Sequence, residues 1–380
     1  MKVAIVHEWL VTRAGSEKVV EEILGLYPDA DLFTLICALP PGQDDMIRGR
    51  KVTTSFLQNL WGARTRHRLF MPLMPLAIEQ FDLSGYDLVI SSSHAVAKGV
   101  ITGPNQVHLS YIHSPMRYAW DLQHVYLAES GLTRGFRSAL ARLLLHYLRI
   151  WDLRTANGPE RMIANSAYIA RRIAKVYRRD ADVVFPPVDV EAMPFSAQRE
   201  DFYLAASRMT PYKRMALIVG AFARMPDKKL VVVGDGPELA LVRRIATSNI
   251  EVLGYLEDDA LRDRMRRAKA FVFAAEEDFG ILPVEAQACG APVIAFGRGG
   301  ALETVVGPDS DRPTGLFFDA QTEESLVDAV RRFEEDPGRF TPENCLANAR
   351  RFTREAFRAS FKAIADAEIA KAGLKSAAKR

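Results

Sequence analysis

Short apolar runs recur along the chain, and most give way to stretches in which apolar residues return every few positions. The first run, KVAIVHEW, reads as a buried strand, with a turn at Ala14 and Gly15 and a helix from about Ser16. YDLVISSS (86–93) and QVHLSYIHS (106–114) read as two more strands, a long helical stretch covers 133–156, and RMIANS (161–166) adds a short strand. DVVFPPVDV (182–190) closes this half with two prolines. The pattern restarts after EAMPFSAQRED. FYLAASR (202–208), KLVVVGDG (229–236), IEVLGYL (250–256), AFVFAAEED (270–278) and APVIAFGRGG (291–300) all read as buried strands, most of them separated by helical segments. Nearly continuous apolar strands that alternate with helices predict parallel sheets covered on both faces. The expected fold class is therefore α/β, with two doubly wound, Rossmann-like domains at 1–187 and 200–352 and a linker near 188–200. A last helix at about 353–375 is long enough to pack on either domain, and the final AAKR is expected to fray.

Composition narrows the class. A chain of 380 residues exceeds what one small core organises. With 48% hydrophobic and 26% charged residues it has the profile of a soluble globular protein. No apolar stretch reaches the roughly 18 residues needed to span a bilayer. The N-terminal run is broken by His7 and Glu8, so it is a strand rather than a signal peptide. Cys37, Cys289 and Cys345 are an odd, sparse set without metal-ligand spacing, which points to a reducing, cytoplasmic compartment. A net charge of +3 makes no case for nucleic acid, so the position of the basic residues matters more than their number.

Open α/β sheets bind ligands beyond the carboxyl ends of their strands. Gly234, Asp235 and Gly236 follow one such strand, where glycine lets backbone come close to a ligand, although many strand-helix turns look like this. Arg208 and Lys213 follow another, and two cations at strand ends suit a pyrophosphate. Alone they would read as solvated surface charges. The stretch EEDFGILPVEAQACG changes that balance. It predicts a turn at Phe279, Gly280, Ile281 and Leu282, Pro283 as the first helical residue, and a stop at Gly290. The N-terminus of such a helix offers unpaired N–H groups and a positive dipole end to an anion. Glu285 is expected in the first helical turn and Glu277 on the preceding loop. Either acid alone reads as a helix-dipole partner or an exposed carboxylate. Together, around a glycine turn, they suit a ligand with phosphates in the middle and hydroxyls at each end, such as a nucleotide sugar.

EDFGILPVEAQACGAPVIA resembles the signature of two glutamates, eight positions apart, of retaining glycosyltransferase family 4, with Glu277 and Glu285 as the pair. SRMTPYKR, VVVGDGPE, ANSAYIARRI and VVFPPVD resemble further blocks of that family in the same order, so the resemblance covers nearly the whole chain. It implies the GT-B fold: two Rossmann-like domains facing a central cleft, with the C-terminal helix crossing back to the first. It implies that Arg208 and Lys213 neutralise the donor diphosphate, that Glu277 holds the sugar hydroxyls and that Glu285 holds the ribose. Backbone at Phe279, Gly280 and Ile281 would touch sugar and phosphates, and Gly234 would line the donor site. Fixed cations and N–H dipoles stabilise charge on a leaving diphosphate without reorganising. With two basic side chains in place, and no DxD-like pair at a plausible strand end, no metal and no other cofactor is expected.

In the first half, VTRAGSEKVV resembles the family's glycine-rich first loop, with Ala14 in place of the first of two adjacent glycines and Gly15 left to approach the diphosphate. His113 ends a strand, and the resemblance gives it contact with the donor sugar near the reacting end. YIHSPMRYAWD resembles a bacterial mannosyltransferase-like subgroup of polysaccharide and O-antigen (lipopolysaccharide) enzymes. Arg117 and Trp120 either shape an acceptor site or pack a loop. The resemblance favours front-face displacement, with the leaving phosphate helping to deprotonate the acceptor. It points to GDP-mannose as donor and a glycan or polyprenyl-diphosphate-linked acceptor, with UDP-glucose and UDP-N-acetylglucosamine left open.

Two segments of the first half set arginine beside apolar side chains. LTRGFRSALARLLLHYLRIWDLR carries Arg134, Arg137, Arg142, Arg149 and Arg154, and NLWGARTRHRLFMPLMPLAI carries Arg64, Arg66 and Arg68 near Trp61, Phe70 and Met71. The first alone reads as a core-facing helix with a solvated arginine face. The pair suits an anionic membrane surface, which places the protein peripherally on the inner face of the plasma membrane. Among other readings, a Rossmann dehydrogenase would need GxGxxG after the first strand, which RAGSEK does not supply. A phosphorylase would need a cofactor-lysine site, for which the sequence offers no candidate. A nucleotide-sugar epimerase and a non-catalytic nucleotide-sugar binder remain as alternatives, the second weakened because a scaffold need not keep Arg208, Lys213, Glu277 and Glu285 together.

Overall fold

The computed structural model describes residues 1–374. The last helix, expected over about 353–375, spans Arg354–Lys371 and ends short of that bound, and the frayed tail expected at 377–380 lies outside the described residues. The chain divides into two compact units: Met1–Pro187 together with the chain from Phe357 onward, and Val188–Ala356.

The first unit is built on seven strands: β1 (Val3–Leu10), β2 (Asp31–Cys37), β3 (Val52–Thr54), β4 (Leu88–Ser93), β5 (Val107–Ile112), β6 (Arg161–Ala164) and β7 (Asp182–Val183). Their order is β3-β2-β1-β4-β5-β6-β7, and every pairing is parallel. All eight residues of β1 are buried, as expected for a central strand covered on both faces. Its side chains alternate between the faces. Ala4 and Val6 join a cluster with Leu148 and Trp151 of helix Phe136–Thr155. Val3 and Ile5 join another with Phe357, Phe361, Ala365 and Ile369 of helix Arg354–Lys371. The last helix therefore supplies one wall of this unit's core. The parallel register sets His7 opposite Ser92 at the carboxyl end of the sheet.

The second unit carries β8 (Tyr203–Ala206), β9 (Leu230–Val233), β10 (Ile250–Gly254), β11 (Ala270–Phe273), β12 (Val293–Phe296) and β13 (Gly315–Phe318). They form an all-parallel sheet in the order β10-β9-β8-β11-β12-β13. Two sheets of this kind, each a Rossmann-like unit, make the fold GT-B. The pattern had not marked β2, β3, β7 and β13. β3 and β7, with three and two residues, are only partly buried and give no apolar run, whereas β13 (GLFF) is as long as strands that were read and was passed over. β2 (DLFTLIC) is apolar enough to be read as a strand.

Candidate functional site

In the second unit the loops that follow β8, β9 and β11 carry the residues singled out in the sequence. Beyond β8 the chain runs through exposed Arg208 into a 3-10 turn, Pro211–Lys213, that closes on Arg214 at φ 57°. Beyond β9 stand Gly234 and Gly236, with φ of 135° and 147°, a region that L side chains rarely enter. Their need for glycine lies first in protein packing. A Cβ on Gly234 would stand 1.8 Å from the Ser207 carbonyl oxygen, and one on Gly236 2.6 Å from that of Met209. The two loops are thereby pressed together. Arg208, Gly234, Asp235 and Gly236 line a cleft of about 480 Å³ with Tyr255, Leu256 and Leu282.

The helix after β11 begins earlier than expected. It spans Ile281–Ala288 with Gly280 as N-cap at φ 88°, so the turn is limited to Phe279 and Gly280. Pro283 is the third helical residue, where its missing N–H costs no intrahelical bond. Glu285 accordingly falls beyond the first turn and is half-buried. The N–H groups of Ile281 and Leu282, in the first helical turn, have no acceptor within the helix. Glu277 sits on the loop before the helix, its carboxylate paired with the Lys213 ammonium, and Phe279 is buried behind it. The turn after β12 supports that loop. Gly300 N–H donates to the Glu277 carbonyl at 2.7 Å, and a Cβ on Gly300 would stand 2.4 Å from Phe279 backbone. The sequence reading had passed over Gly299 and Gly300, although the GRGG run after an apolar strand was the available signal.

In the first unit, Gly15 opens helix Gly15–Leu26 behind Ala14. Glu17 Oε2 accepts the Ala14 N–H at 3.1 Å and the Ser16 hydroxyl at 2.9 Å, so its carboxylate secures the turn. Glu17 Oε1 lies 3.5 Å from His7 Nε2. His7 Nδ1 lies 3.1 Å from the Ser92 carbonyl oxygen and 3.2 Å from its hydroxyl. That hydroxyl is 2.8 Å from Nε2 of His113, which follows β5. Burial would depress the His7 pKa, but the hydrogen bond and charge of Glu17, with the charge of Glu8, outweigh it and raise it. Burial pushes the Glu17 carboxyl up, and His7 more than reverses this, to about 2. Burial, with the charges of His94 and His7, lowers His113 to about 3, so it is neutral near pH 7.

Glu8 is also fully buried. Its Oε1 accepts from the Ser93 hydroxyl and from the N–H groups of His94, Ala95 and Ala97, while its Oε2 stands 2.9 Å from His94 Nδ1. Sequence reasoning had used His7 and Glu8 only to rule out a signal peptide. A histidine and an acid inside a strand that is otherwise apolar were the missed sign of a buried polar network.

Arg117 reaches Ser114 Oγ at 3.3 Å. Trp120 donates its indole N–H to buried Asp152 at 2.7 Å, and Asp152 also pairs with buried Lys98 and accepts from the Tyr177 hydroxyl. Arg149 of the same helix donates to the Ala119 carbonyl and to Gln123. Trp120 thus ties the loop after His113 to helix Phe136–Thr155. The outer side of that helix exposes Phe136 (83%), Leu140 (57%), Leu143 (65%), Tyr147 (45%) and Ile150 (59%) at alternating spacings of four and three. Trp61 (94%) and Leu69 (71%) stand out on the second basic segment, and Trp151 and Arg154 bind Glu79 beside it. Among the described residues, no helix is long and apolar enough to cross a membrane.

Residues 189–352 match the family described as Glycosyl transferases group 1. The chain is 34% identical over 146 residues to a GDP-mannose-dependent monoacylated α-(1-6)-phosphatidylinositol monomannoside mannosyltransferase of Corynebacterium glutamicum, covering 34% of this chain and 37% of that one. It is 28% identical over 206 residues to a D-inositol 3-phosphate glycosyltransferase of Mycobacteroides abscessus, covering 48% and 46%. The chain therefore spans less than half the length of these relatives. Among solved structures, Anabaena HepE in complex with UDP aligns over 97% of this chain and 100% of its own, with a TM-score of 0.69 and 18% identity. Sucrose-phosphate synthase from Thermosynechococcus elongatus aligns over 97% and 99%, with a TM-score of 0.73 and 18% identity. Both likenesses bear on the fold.

Proposed function

We propose that the protein is a retaining glycosyltransferase of the family 4 type, which moves mannose from GDP-mannose to a glycan or lipid-linked acceptor in polysaccharide synthesis. One observation carries this reading. Arg208, the Lys213–Glu277 pair, the Gly234 turn and the helix start at Ile281 all follow strands of one parallel sheet at their carboxyl ends, in the unit that matches the glycosyltransferase family. A cation already paired with the sugar-reading acid, beside open helix N–H groups, suits a substrate carrying diphosphate and hydroxyls together.

In this mechanism Arg208 and Lys213 balance the charge that develops on the leaving diphosphate. Glu277 orients the sugar, Glu285 holds the ribose, and the leaving phosphate takes the acceptor's proton. These side-chain cations make the reaction metal-independent, and turnover should persist in EDTA. The names of the mannosyltransferase relatives favour GDP-mannose. A lipid-linked acceptor would bring the exposed apolar and arginine-bearing faces of the first unit to an anionic membrane.

Calorimetric titration with GDP, UDP, ADP and their sugars, without added metal, tests the reading. Micromolar binding of GDP and GDP-mannose, lost in Glu285→Ala, is expected. Preference for UDP would move the donor to a UDP-sugar, and binding without any turnover would identify a nucleotide-sugar binder. Binding of none of them would overturn the nucleotide site.

A further inference from the structure

The chain of polar contacts from Glu17 to His113 has a direction, and elementary hydrogen-bond inventory supplies it. Glu17 is a carboxylate, which only accepts. His7 Nε2 faces it, so that nitrogen carries a proton. His7 Nδ1 faces the Ser92 carbonyl oxygen at 3.1 Å, another pure acceptor, so it carries a proton too. With Glu17 ionised, as its lowered pKa of about 2 keeps it, both ring nitrogens of His7 face acceptors and His7 is an imidazolium. Its charge is balanced within the unit by Glu17 on one side and by Glu8, whose Oε2 lies 4.0 Å from Nδ1, on the other. The Ser92 hydroxyl, 3.2 Å from Nδ1, is thereby approached by a donor, and its own proton is free to point at His113 Nε2 at 2.8 Å. The remaining groups around this line do not compete for it. The His94 ring, 6.0 Å from His7 and 6.3 Å from His113, has its Nδ1 against Glu8. The Tyr111 ring packs 5.1 Å from His113, and its hydroxyl donates to the Val184 carbonyl.

We propose that Glu17, His7 and Ser92 form a one-way hydrogen-bond relay that fixes His113 as the neutral tautomer with its proton on Nδ1. His113 then has one N–H to offer, and it can only donate from Nδ1 to a substrate oxygen. Ser92, His7 and Glu17 are positioning residues for that contact, and the role rests on the transferase reading and on the sugar contact that the sequence resemblance gives His113. The backbone helps, since the His113 N–H donates to the Ser93 carbonyl at 2.8 Å and β1 holds His7 opposite Ser92 by sheet register. The loop geometry ties the relay to the first turn of helix Gly15–Leu26, because the same Glu17 carboxylate accepts the Ala14 N–H.

The test is long-range proton–nitrogen NMR on the full chain labelled at histidine with nitrogen-15, with His113 assigned by a His113→Gln variant. The expected spectrum shows His113 neutral, with a proton on Nδ1 and a bare Nε2, and His7 protonated on both nitrogens at pH 6. A proton on His113 Nε2 in the parent protein would overturn the relay without recourse to any variant. In Ser92→Ala the fixed tautomer should give way to a mixture while the other histidine signals stay in place. An unchanged His113 signal there would also sink it. The positioning role is read separately. With whichever donor titration identifies, Ser92→Ala should lower turnover about tenfold while nucleotide-diphosphate affinity stays unchanged. Lost tautomer with full turnover would refute the positioning role. Absence of turnover in the parent with every donor would instead refute the transferase reading, and with it the positioning role, while the spectrum still decides the relay.

Discussion

Lys213 and Glu285 should fail in different ways when they are removed. Lys213→Ala takes away a charge needed most as the diphosphate departs, so turnover should fall by about a hundredfold with modest loss of affinity. Glu285→Ala should mainly weaken donor binding, and steady-state kinetics beside calorimetry separates the two. The buried Glu17–His7 pair makes a prediction about stability. The His7 pKa is raised in the folded protein, so its contribution is complete below its unfolded value of about 6.5 and is lost as pH rises through the folded value. Glu17 is lowered to about 2, so its share is present above the usual carboxyl range and is lost only in strong acid. His7→Gln should therefore cost about 3 kcal/mol near pH 6 in denaturant unfolding, with the gap narrowing at alkaline pH. At this scale Glu277, Lys213 and Arg208 were legible from their positions after apolar strands. The Glu17–His7–Ser92 line was not, because it joins residues that are distant in sequence and neighbours only through sheet register.

At the scale of elements, apolar runs located nine of the thirteen strands described because a strand covered on both faces must be continuously apolar. Helix starts were less legible. Pro283 looked like a first residue because proline is favoured there, yet Gly280 at positive φ sets the start at Ile281. Likewise Gly234 and Gly236 were read for a ligand, whereas the carbonyl oxygens of Ser207 and Met209 already demand them. The contact of Trp120 with Asp152 joins a loop to a helix, and its loss should be felt at that level. Trp120→Phe keeps the ring's packing but removes a donor from a buried carboxylate, a change of about 2 kcal/mol by thermal or denaturant unfolding. The Lys98–Asp152 pair remains in that variant, so the fold should survive.

At the scale of the molecule, the exposed side of helix Phe136–Thr155 is tested by flotation of the whole protein with vesicles. Between Gly131 and Thr155 the only acid is Asp152, which is wholly buried, so the exposed face is apolar and cationic. Binding is expected on vesicles containing phosphatidylglycerol at low salt, weaker on phosphatidylcholine and lost in Leu143→Glu with Ile150→Glu. No flotation with anionic vesicles at low salt would remove the membrane from the proposed function.

The division of the chain has a further consequence, for synthesis. The second unit is one uninterrupted segment, Val188–Ala356, and holds its own core. The first unit begins the chain but recruits Phe357, Phe361, Ala365 and Ile369 to complete one of its walls. In synthesis, the whole of the second unit is therefore made between the first unit's sheet and the helix that completes its core. The nascent sheet must remain soluble with that wall open until the second unit has followed it, so the core begun first is completed only after the other unit's chain has been made.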